Sequence, residues 1–130
     1  MLVLDASATI ELLLDSTSAD RIRERLSRVD ESLHAPHVLD LEVAQVMRRM
    51  ARLREVSPAR ARGVLDDLAA LALTRYPHTV LLARIWQLRH TVSAYDAAYV
   101  TLAEVLAAPL LTRDARLAST RGHDAVIVLI

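Results

Sequence analysis

The 130-residue chain has no cysteine and no lysine, and it carries only 2 glycines and 4 prolines. Without thiols, cysteine nucleophiles, zinc-thiolate sites and iron-sulfur ligation are excluded, and the composition suits a reducing compartment. All 16 cationic side chains are arginine. That removes the phosphate-loop lysine, the Schiff-base lysine and the lysine-assisted aspartyl-phosphate site. Little glycine and proline leaves no linker, and neither a repeat nor a low-complexity segment is visible, so residues 1–130 read as one domain. No basic stretch precedes a long apolar run, and charges interrupt every apolar segment well short of about 18 residues. Neither a signal peptide nor a membrane span is expected, and the expected location is cytoplasmic.

What is present is a 53% hydrophobic chain with as many acidic as basic residues. A folded chain of this length hides roughly two-thirds of its unfolded surface, enough for one core without disulfides or a structural metal. Zero net charge makes the distribution of charge, not its sum, the informative quantity.

Leu2-Val3-Leu4 reads as a strand buried on both faces, halted at Asp5. A dense apolar helix follows from Ser7, then a wetter one over Ser18 to Val29. A short strand is expected at Ala35 to Val38. Leu39, Val43, Val46, Met47, Met50 and Leu53 recur at spacings of three and four, an amphipathic helix with Asp40 as its expected cap. Ser57-Pro58 opens a second helix, which forms a hairpin with the first. Leu73 to Tyr76 fits a strand and His78 to His90 a helix with Val80, Leu81, Ile85, Trp86 and Leu88 facing inward. A further helix starts near Asp96 and ends before Pro109. Leu110-Leu111 is a fourth strand, Asp114 to Ala118 a short helix, and Ala125 to Ile130 a closing strand. The alternation is that of an α/β fold with a mainly parallel sheet and covered faces.

In such a sheet, ligands gather beyond the carboxyl ends of the strands. Asp5, Glu42, Asp96 and Asp114 all fall near those ends. Each alone fits helix capping or a first-turn acid, worth about 0.3 to 2 kcal/mol. Together they repel one another, by roughly 4 kcal/mol per pair at 4 Å and an effective dielectric near 20, so a proton or a cation must relieve them. Oxygen-only ligands suit Mg2+ or Mn2+.

The segments VLDASA (Val3 to Ala8), LEVAQVM (Leu41 to Met47), SAYDAAYVTLAEVL (Ser93 to Leu106) and LLTRDARLA (Leu110 to Ala118) resemble, in order and spacing, the signature of PIN-domain ribonucleases of the VapC toxin type. The resemblance implies a PIN-like three-layer fold, a five-stranded mainly parallel sheet ordered 3-2-1-4-5 and flanked by helices. It implies that Asp5, Glu42, Asp96 and Asp114 form an acidic quartet around Mg2+, with Mn2+ as a substitute, and that Ser7 and Thr112 are supporting hydroxyls. Asp5 and Asp96 would then be the principal metal ligands, Glu42 a ligand or a base acting through water, and Asp114 a second-metal or outer-sphere acid. The implied activity is endoribonuclease cleavage of a tRNA- or rRNA-class substrate by metal-activated water, held in check by a cognate antitoxin, in a homodimer without a membrane partner. Gln45 departs from the pattern, since relatives often carry asparagine after the glutamate. Two rivals share the fold: a metal-dependent DNA nuclease or phosphoesterase, and a silent domain kept for partner binding.

Arg48, Arg49 and Arg52 sit in the most basic stretch of the chain, which reads either as a wet helix face or as a surface that tracks an RNA backbone. The histidines are scattered and expected at surfaces or caps. Trp86, Tyr95 and Tyr99 are expected in the core, with base stacking as the alternative.

Overall fold

The computed structural model describes residues 1–17, 19–27 and 31–130. Strands β1 (Leu2–Leu4), β2 (Leu33–Pro36), β3 (Leu73–Tyr76), β4 (Leu110–Thr112) and β5 (Ile127–Leu129) form one sheet in the order β3-β2-β1-β4-β5. All four pairings are parallel, with Val3 opposite His34 on one side and Leu110 on the other. Helices α1 (Ala6–Leu13), α2 (Ala19–Ser27), α3 (Val38–Arg52), α4 (Pro58–Ala70), α5 (Leu82–Gln87), α6 (Ala94–Leu106) and α7 (Ala115–Ala118) connect the strands.

Because side chains alternate along a strand, β1 feeds two cores. Leu2 and Leu4 pack with Ala8, Ile22 and Leu111 on one face, while Val3 joins Leu39, Val43, Val100 and Leu110 on the other. The result is the three-layer arrangement the resemblance implies. Winding runs from β1 outward to β3, then returns to β4 beside β1. The crevice opened by that reversal lies beyond Asp5 and Thr112.

Local chemistry sets the helix starts. The Asp5 carboxylate caps α1, and Ser57 caps α4 with Pro58 as its first residue. Ser93 caps α6, which ends at Ala107 in the left-handed region (φ 48°) before Pro109.

Several sequence expectations are corrected. β2 begins and ends two residues early, because the Val38 amide donates to His78 Nε2 (3.0 Å) and starts α3 instead of extending the ladder. Asp40 is therefore the third residue of α3 and not its cap; its carboxylate receives Arg75 Nε at 2.8 Å. The expected helix over 78–90 is a 3-10 turn (His78–Val80) followed by α5. Leu81 and Leu88, which flank α5, are buried and Ile85 packs against the core as expected, whereas Val80 and Trp86 are exposed. Trp86 lies under the Arg89 guanidinium, 4.6 Å from its ring centroid. Tyr95, in the first turn of α6, is also outside the core, where it lines the acidic cleft. His34 is buried rather than superficial, bonded to Ser32 Oγ and the Tyr76 hydroxyl. The closing strand is shorter than expected. Of the helix expected over Ser18 to Val29, Ala19–Ser27 is present, and Ser18, Arg28 and Val29 lie outside the described residues. Among the described residues, no helix is long and apolar enough to cross a membrane.

Candidate active site

Asp5 follows the last residue of β1, at the crevice, and is only 6% exposed. Its Oδ1 accepts the Ala8 amide at 2.8 Å and the Ser7 hydroxyl at 2.7 Å, and its Oδ2 accepts the Thr112 hydroxyl at 2.5 Å. Both hydroxyls have their proton committed to Asp5, because each accepts an amide with its oxygen: Arg113 N on Ser7 and Asp114 N on Thr112. Three of about four acceptor positions on the carboxylate are filled by donors, leaving one on Oδ2. Burial pushes the Asp5 carboxyl up; the hydrogen bonds pull it back, and the charge of Asp96 adds to the rise.

Glu42 reaches the same crevice from the second turn of α3. The Tyr99 hydroxyl donates to its Oε2 from α6. Desolvation raises the Glu42 pKa, Tyr99 opposes the rise, and Asp96 and Asp5 reinforce it. Asp96 is the third residue of α6, where Ser93 accepts its amide at 3.2 Å. Burial raises its pKa first and the charge of Asp114 second, with Arg116 partly compensating. Asp114 caps α7: Oδ1 accepts the amides of Arg116 (2.8 Å) and Leu117 (3.2 Å), and Oδ2 lies 3.5 Å from the Arg116 guanidinium. For Asp5 and Asp114, capping and a place in the cluster are therefore both true.

All four acids, with Ser7, line one open cleft of about 1070 Å³. Thr112 sits beneath, fully buried, holding Asp5 from the neighbouring strand. Arg48, Arg49 and Arg113 form the cleft's basic edge, and Arg113 is paired with Glu11. Arg52 is exposed farther along α3 and does not line the cleft. Sequence reasoning missed Tyr99 as a site residue. Its ring is buried as expected, but its hydroxyl is spent on Glu42, and desolvation beside that carboxylate drives its pKa far up. The available signal was its position three residues after Asp96, on the same face of α6.

A cleft in which Asp5, Glu42 and Asp96 are all pushed above the ordinary carboxylate range is organised for positive charge. Among the described residues, no three acidic or imidazole side chains converge closely enough to cage a metal ion. An all-protein cage is not what Mg2+ requires, since it takes one or two carboxylates and keeps several waters. The oxygen-only donor set and the open position on Asp5 Oδ2 fit a hard dication of that kind.

Residues 2–122 match the family model described as PIN domain. The chain is 43% identical over 130 residues to ribonuclease VapC9 of Mycobacterium tuberculosis, covering 100% of this chain and 98% of that one. It is 42% identical over 129 residues to ribonuclease VapC1 of the same species, covering 98% and 96%. A crystal structure of a Pyrobaculum aerophilum protein aligns with a TM-score of 0.67 at 26% identity, covering 97% of this chain and 82% of that one. VapBC2 from Rickettsia felis, crystallised bound to a DNA fragment from its promoter, aligns with a TM-score of 0.72 over 99% of this chain and 98% of that one. At 11% identity the second likeness bears on fold alone.

Proposed function

The chain belongs to the PIN-domain family, among the VapC ribonucleases, and on that premise we propose that it is a Mg2+-dependent endoribonuclease, the toxin of a toxin-antitoxin pair. The observation that carries this reading is the gathering of Asp5, Glu42, Asp96 and Asp114 in one open cleft at the sheet's switch point. Residues 1–130 act as a single domain in it. The RNA substrate enters along the Arg48 and Arg49 edge, and a cognate antitoxin restrains the activity by covering this surface.

Asp5 and Asp96 would hold the dication, Mg2+ or Mn2+, with Glu42 as a ligand or base and Asp114 as a second-metal or outer-sphere acid. When bound, it supplies Lewis-acid charge to offset the attacked phosphate and the departing 3′ oxygen, and it makes water more acidic. The chain's own residues provide the geometry. Ser7, Thr112 and the Ala8 amide fix the Asp5 carboxylate in one orientation and leave its free lone pair toward the cleft. Tyr99 holds Glu42 at the rim, where its raised pKa suits it to accept a proton from water. Asp114 is kept in place by the amides of α7. No protein nucleophile is required, which suits a site without cysteine or lysine.

The test is an incubation of purified protein with structured RNA and with duplex DNA, with Mg2+ or with chelator, alongside Asp5→Asn and Asp96→Asn. Metal-dependent RNA cleavage, reduced at least about 100-fold in both variants, supports the proposal. Cleavage of DNA alone moves the assignment to a DNA nuclease. No cleavage of any substrate leaves a partner-binding domain.

A further inference from the structure

A second groove, of about 350 Å³, lies between the connection joining α5 to α6 and helix α7. Arg89, His90, Ser93, Arg116 and Thr120 line it, and Asp96 lines both this groove and the acidic cleft, so the two meet at that residue. Their charges are opposite. Two guanidiniums and an imidazole face the groove, and Asp96, at the junction, is its one acid.

Both arginines make contacts within the fold that leave donors over. The Arg89 guanidinium sits over the Trp86 ring and gives one N–H to the Trp86 carbonyl (3.0 Å), which leaves most of its five donors available. Arg116 is 83% exposed, and its carboxylate partner, Asp114, is 3.5 Å away. The contrast is a larger cavity, of about 740 Å³, lined by Arg84, Glu104 and Val126. There Arg84 is committed to Glu104 through two hydrogen bonds (2.9 and 2.8 Å), a closer pairing than the single 3.5 Å contact of Arg116 with Asp114. On the far wall of the acidic cleft stand Arg48 and Arg49. A polyanion crossing the carboxylates therefore meets cations on both sides of them. The groove's polar edge is made of hydroxyls and guanidiniums, and its largest apolar side chain, Leu117, is only 2% exposed, so it lacks the apolar anchor that a peptide would use.

We propose that this groove is a phosphate subsite, in which Arg89 and Arg116 grip the RNA backbone on the side of Asp96 away from Arg48 and Arg49. The assignment rests on the ribonuclease reading for its ligand. An RNA strand thus spans the cleft between two basic walls, with the bond to be cut held over the acids.

The experiment measures binding of a fluorescent single-stranded RNA oligonucleotide in chelator, where no cleavage occurs, between 50 and 200 mM salt. The Arg89→Gln/Arg116→Gln double variant is expected to bind about 10-fold more weakly, with a salt slope shallower by about 1.4, or roughly 0.7 for each single-strand phosphate no longer neutralised. Arg89→Lys/Arg116→Lys keeps the charge and most of the slope, which separates the removal of charge from misfolding. Arg21→Gln, on the remote helix α2, serves as the control. Glutamine and control variants with equal affinity and slope overturn the groove alone. Wild-type protein that binds the oligonucleotide, with weaker binding in the glutamine variant, yet never cuts RNA with Mg2+ present supports the groove and sinks the ribonuclease reading. Wild-type protein that binds no RNA overturns both.

Discussion

At the residue scale, the acids of the cleft are not equivalent, although all are carboxylates. Asp5 is surrounded by donors, whereas burial and the charge of Asp114 are the main influences on Asp96. Replacement by asparagine separates the two. Asp5→Asn points an amide N–H₂ at hydroxyls that already donate, breaking bonds to Ser7 or Thr112, and is expected to cost about 1 to 3 kcal/mol. Asp96→Asn removes a charge that the folded state disfavours and is expected to raise the Tm in chelator at pH 7 by about 3 °C, the order of 1 kcal/mol in a domain of this size. Both are expected to reduce cleavage at least about 100-fold. The pH dependence follows from the sign of the Asp96 shift. Its folded pKa lies above the ordinary value of 3.8, so between the two the folded state binds more protons and its stability falls as pH rises. The advantage of Asp96→Asn over wild type is thus absent below about pH 4 and grows as pH rises through the folded pKa. Calorimetry of the pair at several pH values checks it, and an advantage that shrinks with rising pH would contradict the assignment. Tyr99 adds a third case. Tyr99→Phe leaves Glu42 Oε2 without its donor, with an expected cost of about 1 kcal/mol and a fall in kcat larger than any change in KM.

At the element scale, α3 shows what the sequence could and could not disclose. Its apolar stripe was legible because the period of 3.6 is written in residue types: Leu39, Val43 and Met47 are buried as the spacing requires. Its first residue was not legible, because the feature that ends β2 is the imidazole of His78, 40 residues away, occupying the Val38 amide. The same shift turned Asp40 from an expected cap into a cross-element anchor. Arg75, on β3, donates Nε to Asp40 and Nη2 to the Leu68 carbonyl at 3.0 Å, tying the α3–α4 hairpin to the edge of the sheet. This makes a prediction that local capping does not. Asp40→Ser, a benign exchange at a cap, is expected to destabilise by about 1 kcal/mol, and the loss should disappear in an Arg75→Met background. Urea unfolding of the two single variants and the double variant measures the coupling, and additive losses would return Asp40 to a purely local role. Trp86 was misplaced for a related reason. Hydrophobic type announces that a side chain prefers burial, but α5 spans only Leu82–Gln87 and none of its side chains is fully buried.

At the scale of the whole molecule, topology was legible and surface was not. Alternating buried strands and helices admit few right-handed parallel arrangements, and the order β3-β2-β1-β4-β5 is one that leaves a crevice where Asp5 and Asp114 emerge. The groove at Arg89 and Arg116 has no such signature, since it joins a loop and a four-residue helix. What the net charge of zero concealed is a separation: acids that oppose one another inside the cleft, arginines around its edges. That separation holds a reserve of repulsion that a bound dication would release. Mg2+ or Mn2+ binding to the folded state alone is expected to raise the Tm, with stabilisation of about 2.7 kcal/mol at 100 times the dissociation constant. The gain should shrink strongly in Asp5→Asn, which loses the open Oδ2 position, and in Asp96→Asn, which has already shed the repulsion. Arg21→Gln should keep it in full. Thermal unfolding with a metal titration reads all four proteins. An equal rise in every variant would place the ion elsewhere on the surface, and no rise at millimolar metal would remove the cation from the cleft and with it the reason for gathering these acids at one edge of the sheet.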